Sequence, residues 1–238
     1  MATKDHQSEP IESASETLQR IFDGHGSVLG SQMADESSRY DVLKKTDFPK
    51  PKRTRRIAVA NQKGGVGKTT STVNTAAALA NKGAQVLVID MDPQGNASTA
   101  LGVSHASGEP SVYDVIEGRS DLGDVITVCP DFPTLDVVPA SIDLSGAELE
   151  VADLPNRNTL LKEALDLYLR QSDKHYDYVF IDCPPSLGLL VINAMCAVTE
   201  MLIPIQAEYY ALEGLGQLIN TIGLVQEHFN PVLLVSTM

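Results

Sequence analysis

Short apolar runs alternate with longer, helix-patterned segments along most of this chain, from about residue 56 onward. In the runs, apolar residues follow one another with little polar interruption, which is typical of strands buried on both faces of a parallel sheet. These predicted strands cover residues 57–61, 85–90, 135–139, 178–182, 201–205 and 232–236. The segments between them predict helices over residues 68–81, 158–170, 187–198 and 212–229. The alternation predicts an α/β fold, a mostly parallel and doubly wound sheet with helices on both faces.

The first fifty residues have a different character, because they are rich in Ser, Asp, Glu and Gly and show weak periodicity. This composition predicts a tail, residues 1–50, that is disordered or weakly helical, since it can bury little apolar surface. One short helix is indicated by Ile11, Leu18, Ile21 and Phe22. Pro49 and Pro51 mark the boundary with a single domain over residues 51–238, which is long enough to bury a sizeable core.

The chain is strongly acidic, with a formal net charge of −13. Its 18 Lys and Arg residues include none from Cys183 to Met238, so a polyanion-binding surface is not expected in the last quarter of the chain. A basic run opens the domain, with Lys52, Arg53, Arg55 and Arg56. It has two interpretations, a solvated entrance to the first strand or a contact for DNA or a partner. Aromatic residues make up 5% of the chain and Trp is absent, which disfavours a protein that stacks nucleic-acid bases.

Three features predict where the protein resides. Its cysteines, Cys129, Cys183 and Cys196, have no metal-binding or redox spacing and are expected to be reduced core thiols of a cytosolic protein. The first thirty residues lack the basic start and apolar run of a signal peptide. Residues 186–207 are largely apolar, but an Asn, a Glu and a Pro interrupt them and favour a helix followed by a strand over a membrane span.

A glycine-rich segment, residues 63–70, reads KGGVGKTT and lies between the first predicted strand and the first predicted helix of the domain. It contains three glycines, Gly64, Gly65 and Gly67. Glycines allow successive backbone N–H groups to turn toward phosphate oxygens, and the start of the following helix adds its positive dipole end. Lys68 is expected to reach the β- and γ-phosphates, and the hydroxyl of Thr69 to face Mg²⁺. The segment therefore predicts a nucleotide-phosphate site.

Carboxylates follow two of the predicted strands. Asp90 ends one strand and Asp92 comes two residues later, while Asp182 ends another strand. The carboxyl ends of parallel strands are where ligands of such sheets bind, so these acids are candidates for the same site as the glycine-rich segment. No Ser-His-Asp or Cys-His arrangement accompanies them, and the histidines are scattered and expected at the surface. The histidines are His6, His25, His105, His175 and His228.

Taken together, these motifs resemble the deviant Walker ATPases of the ParA/MinD superfamily, and in particular the chromosomal ParA/Soj type. The loop begins with an additional lysine, Lys63, and Gln62 stands where an ordinary P-loop has its first glycine. The sequence DMDPQGN at 90–96 resembles the switch I segment of ParA proteins, and DCPPSLG at 182–188 resembles switch II. The resemblance covers residues 55–238.

The resemblance implies a role for each matching residue. Lys63 would contact the nucleotide across a dimer interface, and with Lys68 and Asp92 it would form the catalytic set. Asp92 would orient the attacking water. Asp182 would hold Mg²⁺ as the Walker B acid, with Thr69 and Asp90 contributing to the metal site. The implied nucleotide-binding residues are Lys63, Gly64, Gly65, Val66, Gly67, Lys68, Thr69 and Thr70.

The function implied by the resemblance is that of a slow, partner-stimulated ATPase with ATP and Mg²⁺ as cofactors. ATP would close a homodimer, the dimer would bind DNA without sequence preference, and a ParB-like partner would trigger hydrolysis. Such a switch drives chromosome or plasmid segregation and is cytoplasmic and nucleoid-associated, with no membrane partner expected.

Two departures from the family pattern leave alternatives open. Family members continue for some tens of residues beyond the last predicted strand, so the C-terminal part of the domain is expected to be missing, and one alternative is that such a piece folds poorly. Gly223 stands where chromosomal relatives often have a DNA-binding Arg. The alternatives are a MinD-like or orphan ParA-like ATPase that positions a protein cargo or acts on a membrane, and a reductase-like protein with an iron–sulfur cluster held by paired cysteines.

Overall fold

The computed structural model describes residues 28–46, 48–206 and 211–237. The chain separates into two units, Met1–Pro49 and Lys50–Met238. Each unit has its own secondary structure, and the second contains the whole sheet.

Helix α1 (Val28–Lys45) is the element described in the first unit. Its apolar residues form no stripe, and from residue 31 onward its side chains are exposed apart from the half-buried Ser37. The hydrophobic pattern therefore could not indicate this helix, because periodicity reveals a helix only when one of its faces is buried. The short helix that the pattern did indicate, at residues 11–22, lies outside the described residues.

Seven strands of the second unit form one sheet in the order β3–β4–β2–β5–β1–β6–β7. All neighbouring pairs are parallel except β3 with β4. The strands are β1 (Arg55–Val59), β2 (Val86–Asp90), β3 (Thr127–Val128), β4 (Leu135–Val138), β5 (Tyr178–Asp182), β6 (Glu200–Leu202) and β7 (Leu234–Thr237). The helices are α2 (Lys68–Asn81), α3 (Asn96–Ala100), α4 (Val112–Ile116), a 3₁₀ helix (Leu122–Val125), α5 (Leu144–Glu150), α6 (Leu160–Gln171), α7 (Leu189–Ala197) and α8 (Ala211–His228). The predicted α/β class with a mostly parallel sheet is confirmed.

Helices cover both faces of the sheet, as predicted, and successive strand residues point to opposite faces. One core lies between the sheet and helices α4 to α8 and includes Ala58 and Leu87. The other core lies between the sheet and α2 and includes Val59 and Val88. The central strands are therefore apolar at successive positions, which explains why their sequence pattern was easy to recognise.

The register of the three central strands brings the predicted site together. Asp90 of β2 lies opposite Asp182 of β5, and Val59 of β1 lies on the other side of Asp182. The glycine-rich segment at residues 63–70, called the phosphate loop from here on, follows β1 just beyond Val59. Both acidic strand ends thus share one edge of the sheet with the loop.

Elements shorter than six residues account for most differences between the pattern and the structure. Strand β3 has two residues and helices α3 and α4 have five each, which is too short for a hydrophobic period to appear. The apolar segment at 186–207 contains helix α7 and strand β6, as predicted. Among the helices that the structure describes, none combines the length and hydropathy that crossing a membrane requires.

Candidate active site

The phosphate loop fills the connection between β1 and helix α2. Gly65 and Gly67 have backbone φ angles of 74° and 90°, a region that other residues rarely adopt. Gly67 caps helix α2, and its carbonyl accepts the first hydrogen bond of the helix from the N–H of Ser71 at 2.8 Å. The glycines at these two positions therefore set the curl of the loop in front of the helix N-terminus.

A cleft of about 330 Å³ lies at this helix N-terminus. Its wall contains the loop glycines together with side chains from the segment that follows β2 and from the segment that follows β5. The lining residues are Gly64, Gly65, Gly67, Lys68, Thr69, Thr70, Asp92, Gln94, Asn96 and Pro185. An anion in this cleft would face both the exposed N–H groups and the positive end of the α2 dipole.

Lys68 is the buried cation of the cleft, with 7% of its surface exposed. Its ammonium donates a hydrogen bond of 3.3 Å to the carbonyl of Lys63, which folds the side chain back over the loop. Burial lowers the pKa of Lys68, and the nearby Asp182 and Asp92 act in the opposite direction. The predicted reach of Lys68 toward phosphate agrees with this position, and its role in binding stays a prediction.

Asp182 is held by two hydroxyls of helix α2. Thr69 donates to Oδ2 at 2.7 Å and Thr72 donates to Oδ1 at 2.9 Å. Burial raises the pKa of this carboxyl to about 7, and the nearby Asp90 and Asp92 act in the same direction. A carboxylate and a hydroxyl beside a phosphate loop are the donors that Mg²⁺ commonly uses together with substrate phosphates. The donor set thus fits the predicted magnesium site.

A magnesium ion here would depend on the nucleotide for further ligands. In the described part of the chain no three His, Cys, Asp or Glu side chains form a group that could hold a metal ion by themselves. Mg²⁺ usually keeps waters and takes one or two carboxylates plus phosphate oxygens, so the hydroxyl of Thr69 and the carboxylate of Asp182 are enough protein ligands. The assignment of these two residues to the metal remains a prediction.

Asp90 has contacts of another kind. Its Oδ1 accepts a hydrogen bond from the N–H of Asp92 at 3.1 Å, and its Oδ2 accepts from both the N–H and the hydroxyl of Ser98 at 2.8 and 2.7 Å. Burial raises its pKa, and the Ser98 hydrogen bonds act against that shift. These contacts hold the turn between β2 and α3, so any part that Asp90 takes in the metal site would come in addition to a structural one.

Asp92 lies in that turn and lines the cleft, although only 7% of its surface is exposed. Its Oδ1 accepts from the N–H of Gln94 at 3.0 Å, and its carbonyl accepts from the N–H of Gly95 at 2.8 Å. The side chain is therefore fixed in a tight turn that faces the phosphate loop. This location is compatible with its predicted role in orienting water.

The side chain of Lys63 has different contacts from that of Lys68. It is not among the described residues that line the cleft, and its ammonium lies 3.5 Å from Oε1 of Gln206. Gln206 also donates to the carbonyl of Gly65 at 3.1 Å, so one side chain contacts the loop at two points. The sequence pattern alone gave Gln206 no role, although it begins a further segment, residues 206–214, within the range 55–238 over which the chain resembles the family. Residues 207–210 of that segment lie outside the described residues.

Asn61 is a second residue that the pattern did not single out. It is buried at the end of the first predicted strand, its Oδ1 accepts from the N–H of Lys63 at 3.0 Å, and its Nδ2 donates to the carbonyl of Pro204 at 2.8 Å. It ties the start of the loop to the segment after β6. A buried polar residue directly before a glycine-rich loop was the available signal.

The basic run lies at the opposite end of β1 from the loop. Arg55 forms a two-point ion pair with Glu200, with distances of 2.8 and 2.5 Å, and Arg56 pairs with Asp166 at 2.5 Å. These arginines anchor the entrance of the strand to neighbouring elements. Their pairing supports the interpretation as a strand entrance over a DNA contact.

Comparison with known proteins identifies the family. The chain matches the AAA domain family over residues 54–235. It is 51% identical over 179 residues to the sporulation initiation inhibitor protein Soj of Bacillus subtilis, which covers 75% of this chain and 69% of that protein. The chain belongs to the ParA/Soj family of P-loop ATPases. The predicted family and nucleotide-binding fold are thereby confirmed.

Two further relatives show how far the similarity to this family extends. The chromosome partitioning protein ParA of Caulobacter vibrioides is 47% identical over 177 residues, covering 74% of this chain and 65% of that protein. The crystal structure of cobyrinic acid a,c-diamide synthase from Mycobacterium smegmatis, with bound ATP analogue and magnesium, has a TM-score of 0.69 at 40% identity and covers 76% of this chain and 69% of that one. The chain thus spans about two thirds of the length of these proteins.

Proposed function

We propose that this ParA/Soj-type chain is the ATP-binding part of a dimerising switch that hydrolyses ATP and drives chromosome or plasmid segregation. Its cofactors are ATP and Mg²⁺. ATP closes a homodimer, the dimer binds DNA without sequence preference, and a ParB-like partner stimulates hydrolysis and release. The protein acts in the cytoplasm, on the nucleoid.

The observation that carries this proposal is the cleft in which Lys68 and Asp92 lie beside the loop glycines. Lys68 lines the cleft beside Asp92, whereas Lys63 contacts Gln206 outside the cleft lining. The resemblance to the ParA family implies that Lys63 contacts the nucleotide of a second subunit. There it would supply positive charge where the transferred phosphoryl group develops negative charge.

Hydrolysis in this site depends on positioning rather than on a covalent intermediate. Lys68 neutralises phosphate charge, and the turn that contains Asp92 holds a carboxylate opposite the loop where it orients a water. Thr69 and Asp182 would hold Mg²⁺, which when bound offsets the negative charge of the phosphates. The N–H groups of the loop and of the α2 N-terminus bind the phosphate oxygens.

DNA binding by such a switch rests on phosphate contacts, which carry no sequence information and weaken steeply with salt. The chain has a net charge of −13, so its attraction to DNA must come from cations that cluster locally on its surface. The alternative is an ATPase of the same family that positions a protein cargo or acts on a membrane. The response of ATP hydrolysis to a ParB-like partner and to DNA distinguishes these two functions.

The test is Mg-ATP hydrolysis by the complete protein, with and without DNA and a ParB-like partner, beside the variants Lys68→Ala and Asp92→Ala. We expect slow hydrolysis that rises with both additions and is lost in both variants. Lys52→Ala is the matched control, since this lysine lies at the other end of β1 and should leave hydrolysis unchanged.

A second measurement follows DNA binding with ATP at several salt concentrations. Binding that needs ATP and falls steeply with salt supports the segregation switch. ATP hydrolysis that is unchanged by both DNA and the ParB-like partner would contradict the segregation switch and would favour the cargo-positioning or membrane alternative. Liposome co-sedimentation then tests the membrane role.

A further inference from the structure

His105 lies against the turn that carries Asp92. A β-carbon placed on Gly95 would lie 2.4 Å from Nδ1 and 2.6 Å from Cε1 of His105, so the imidazole ring covers the Cα of this glycine directly. Nε2 of the same ring lies 2.8 Å from the hydroxyl of Thr99, within hydrogen-bond distance. The ring thus contacts the turn at Gly95 and helix α3 at Thr99.

The loop that carries His105 is itself fixed. Glu109 accepts hydrogen bonds from the residues on both sides of the histidine, from the hydroxyl of Ser104 at 2.6 Å and from the N–H of Ala106 at 3.2 Å. The buried Val103 donates its N–H to the carbonyl of Ser98 at 3.0 Å. The imidazole is therefore presented from a loop anchored at both flanks, and its side chain is half-buried.

Contacts on two sides secure the turn. On its inner side, Asp90 accepts hydrogen bonds from Asp92 and Ser98. On its outer side, His105 covers Gly95, which has a φ of 63° and donates its N–H to the carbonyl of Asp92. A turn held on both sides cannot easily move its carboxylate away from the cleft.

We propose that His105 is a positioning residue for the hydrolysis step, one that holds Asp92 in place by packing its imidazole on Gly95. This inference rests on the proposed ATPase function. The ring is not among the residues that line the cleft, so it acts through the turn and not on the nucleotide. Its removal should slow hydrolysis while leaving ATP binding intact, because the phosphate loop is untouched. Misplacement of a catalytic group by about 1 Å can reduce a rate by about a hundredfold.

The experiment compares His105→Ala, His105→Gln and the control His175→Ala with the wild type in the complete protein. His175 is exposed and lies just before Tyr176 at the other end of the sheet. We expect kcat to fall about tenfold or more in His105→Ala, with KM for ATP changed by less than about twofold. The Gln side chain can keep a hydrogen bond to Thr99 but has no ring to pack on Gly95, so His105→Gln should recover only a small part of the rate.

A second measurement does not depend on hydrolysis. Backbone hydrogen exchange of the peptide that contains Gln94 and Gly95 should become about tenfold faster in His105→Ala, since the outer support of the turn is lost. Glu109→Ala should produce a smaller increase in the same peptide, because it loosens the loop and leaves the ring in place.

The outcomes separate this inference from the proposed function. If Asp92→Ala is inactive and His105→Ala hydrolyses ATP at the wild-type rate, the inference is overturned and the ATPase stands. Unchanged exchange at Gln94 and Gly95 overturns it as well. A wild type that binds but never hydrolyses ATP removes the proposed function, and the positioning role with it.

Discussion

The hydroxyl of Thr69 donates a hydrogen bond of 2.7 Å to Oδ2 of Asp182, and this contact joins the first turn of helix α2 to the end of strand β5. One turn later, Thr72 donates to the other oxygen of the same carboxylate. Two hydroxyls on one helix face thus fix the orientation of an acid that comes from a strand more than a hundred positions away. The phosphate loop, the helix and the acid are built as one unit.

Replacing Thr69 by Ala should weaken binding of Mg-ATP more than binding of ATP without metal. The substitution removes a hydroxyl predicted to face Mg²⁺ and releases one oxygen of Asp182, so we expect the Kd of Mg-ATP to rise about tenfold or more. Calorimetric titration with Mg²⁺ and with EDTA measures both affinities. Thr69→Ser keeps the hydroxyl and should bind Mg-ATP nearly as the wild type does. Equal losses with and without Mg²⁺ would argue against a metal role for Thr69.

Replacing Asp90 by Ala should destabilise the protein before it affects the metal. Three buried donors, from Asp92 and Ser98, would lose their acceptor, and each unsatisfied donor costs about 1–3 kcal/mol. We expect the free energy of unfolding in urea to fall by about 2 kcal/mol or more. Asp92→Ala is the comparison, because its carboxylate accepts only from the N–H of Gln94 among the described contacts. A stable Asp90→Ala that has lost Mg²⁺ binding would instead favour the metal-shell role.

Replacing Tyr176 by Phe should destabilise the sheet at the edge away from the cleft. The Tyr176 hydroxyl and the ammonium of Lys174 both donate to Oδ2 of the buried Asp136. The other oxygen of Asp136 has no partner among the described residues. Burial, together with the hydrogen bond to Asp136, raises the pKa of Tyr176, so its hydroxyl stays a donor. Loss of this donor leaves a buried carboxylate less satisfied and should cost about 1–3 kcal/mol.

The control for that substitution is Tyr168→Phe. Its hydroxyl lies 3.3 Å from that of Tyr176 and does not contact Asp136 within the described hydrogen bonds. We expect a cost below about 1 kcal/mol in the same urea titration. Equal costs for the two tyrosines would show that ring packing, not the hydrogen bond to Asp136, determines the effect.

Replacing Glu148 by Ala should weaken the start of helix α7. Its Oε1 accepts from the N–H of Leu189 at 2.7 Å, which satisfies a donor that the first helical turn leaves unpaired. A lost cap costs about 1 kcal/mol, and Glu148→Gln should lose less because it keeps an acceptor oxygen. Gly188→Ala should disturb the same hydrogen bond, since the added β-carbon would lie 2.2 Å from Oε1 of Glu148. In a double-mutant cycle the two changes should be less than additive.

The long, strongly patterned elements were predictable from the sequence. Helix α2 (Lys68–Asn81) and strand β5 (Tyr178–Asp182) have the predicted bounds, because each combines a clear apolar pattern with a marked start and end. The edge strand β3 was not predictable, since its two residues are both exposed and are positioned by pairing with β4.

The residues of the candidate site also fall into those that could be predicted from the sequence and those that could not. The loop glycines and Lys68 can be identified from the local sequence alone, because a short motif specifies their chemistry. His105 and Gln206 could not be found in this way, since no short motif specifies the partner of either residue: His105 contacts Gly95 and Thr99 through the local path of helix α3 and the loop after it. For Gln206 that partner is the Gly65 carbonyl, about 140 positions away. Asp90 was predictable as a strand end, whereas its hydrogen bonds to Ser98 depend on the short helix α3 that the pattern did not reveal.

The central place of β1 in the sheet has a consequence for folding. This strand leads directly into the phosphate loop, and both of its neighbours, β5 and β6, lie more than a hundred residues farther along the chain. Closing such long loops is slow, so the central pairing forms late relative to local helices. The cleft is lined by residues that follow β1, β2 and β5, so it depends on the pairing of these three strands. A ligand that binds only the folded site stabilises the folded state, so saturating ATP should raise the free energy of unfolding of the whole sheet.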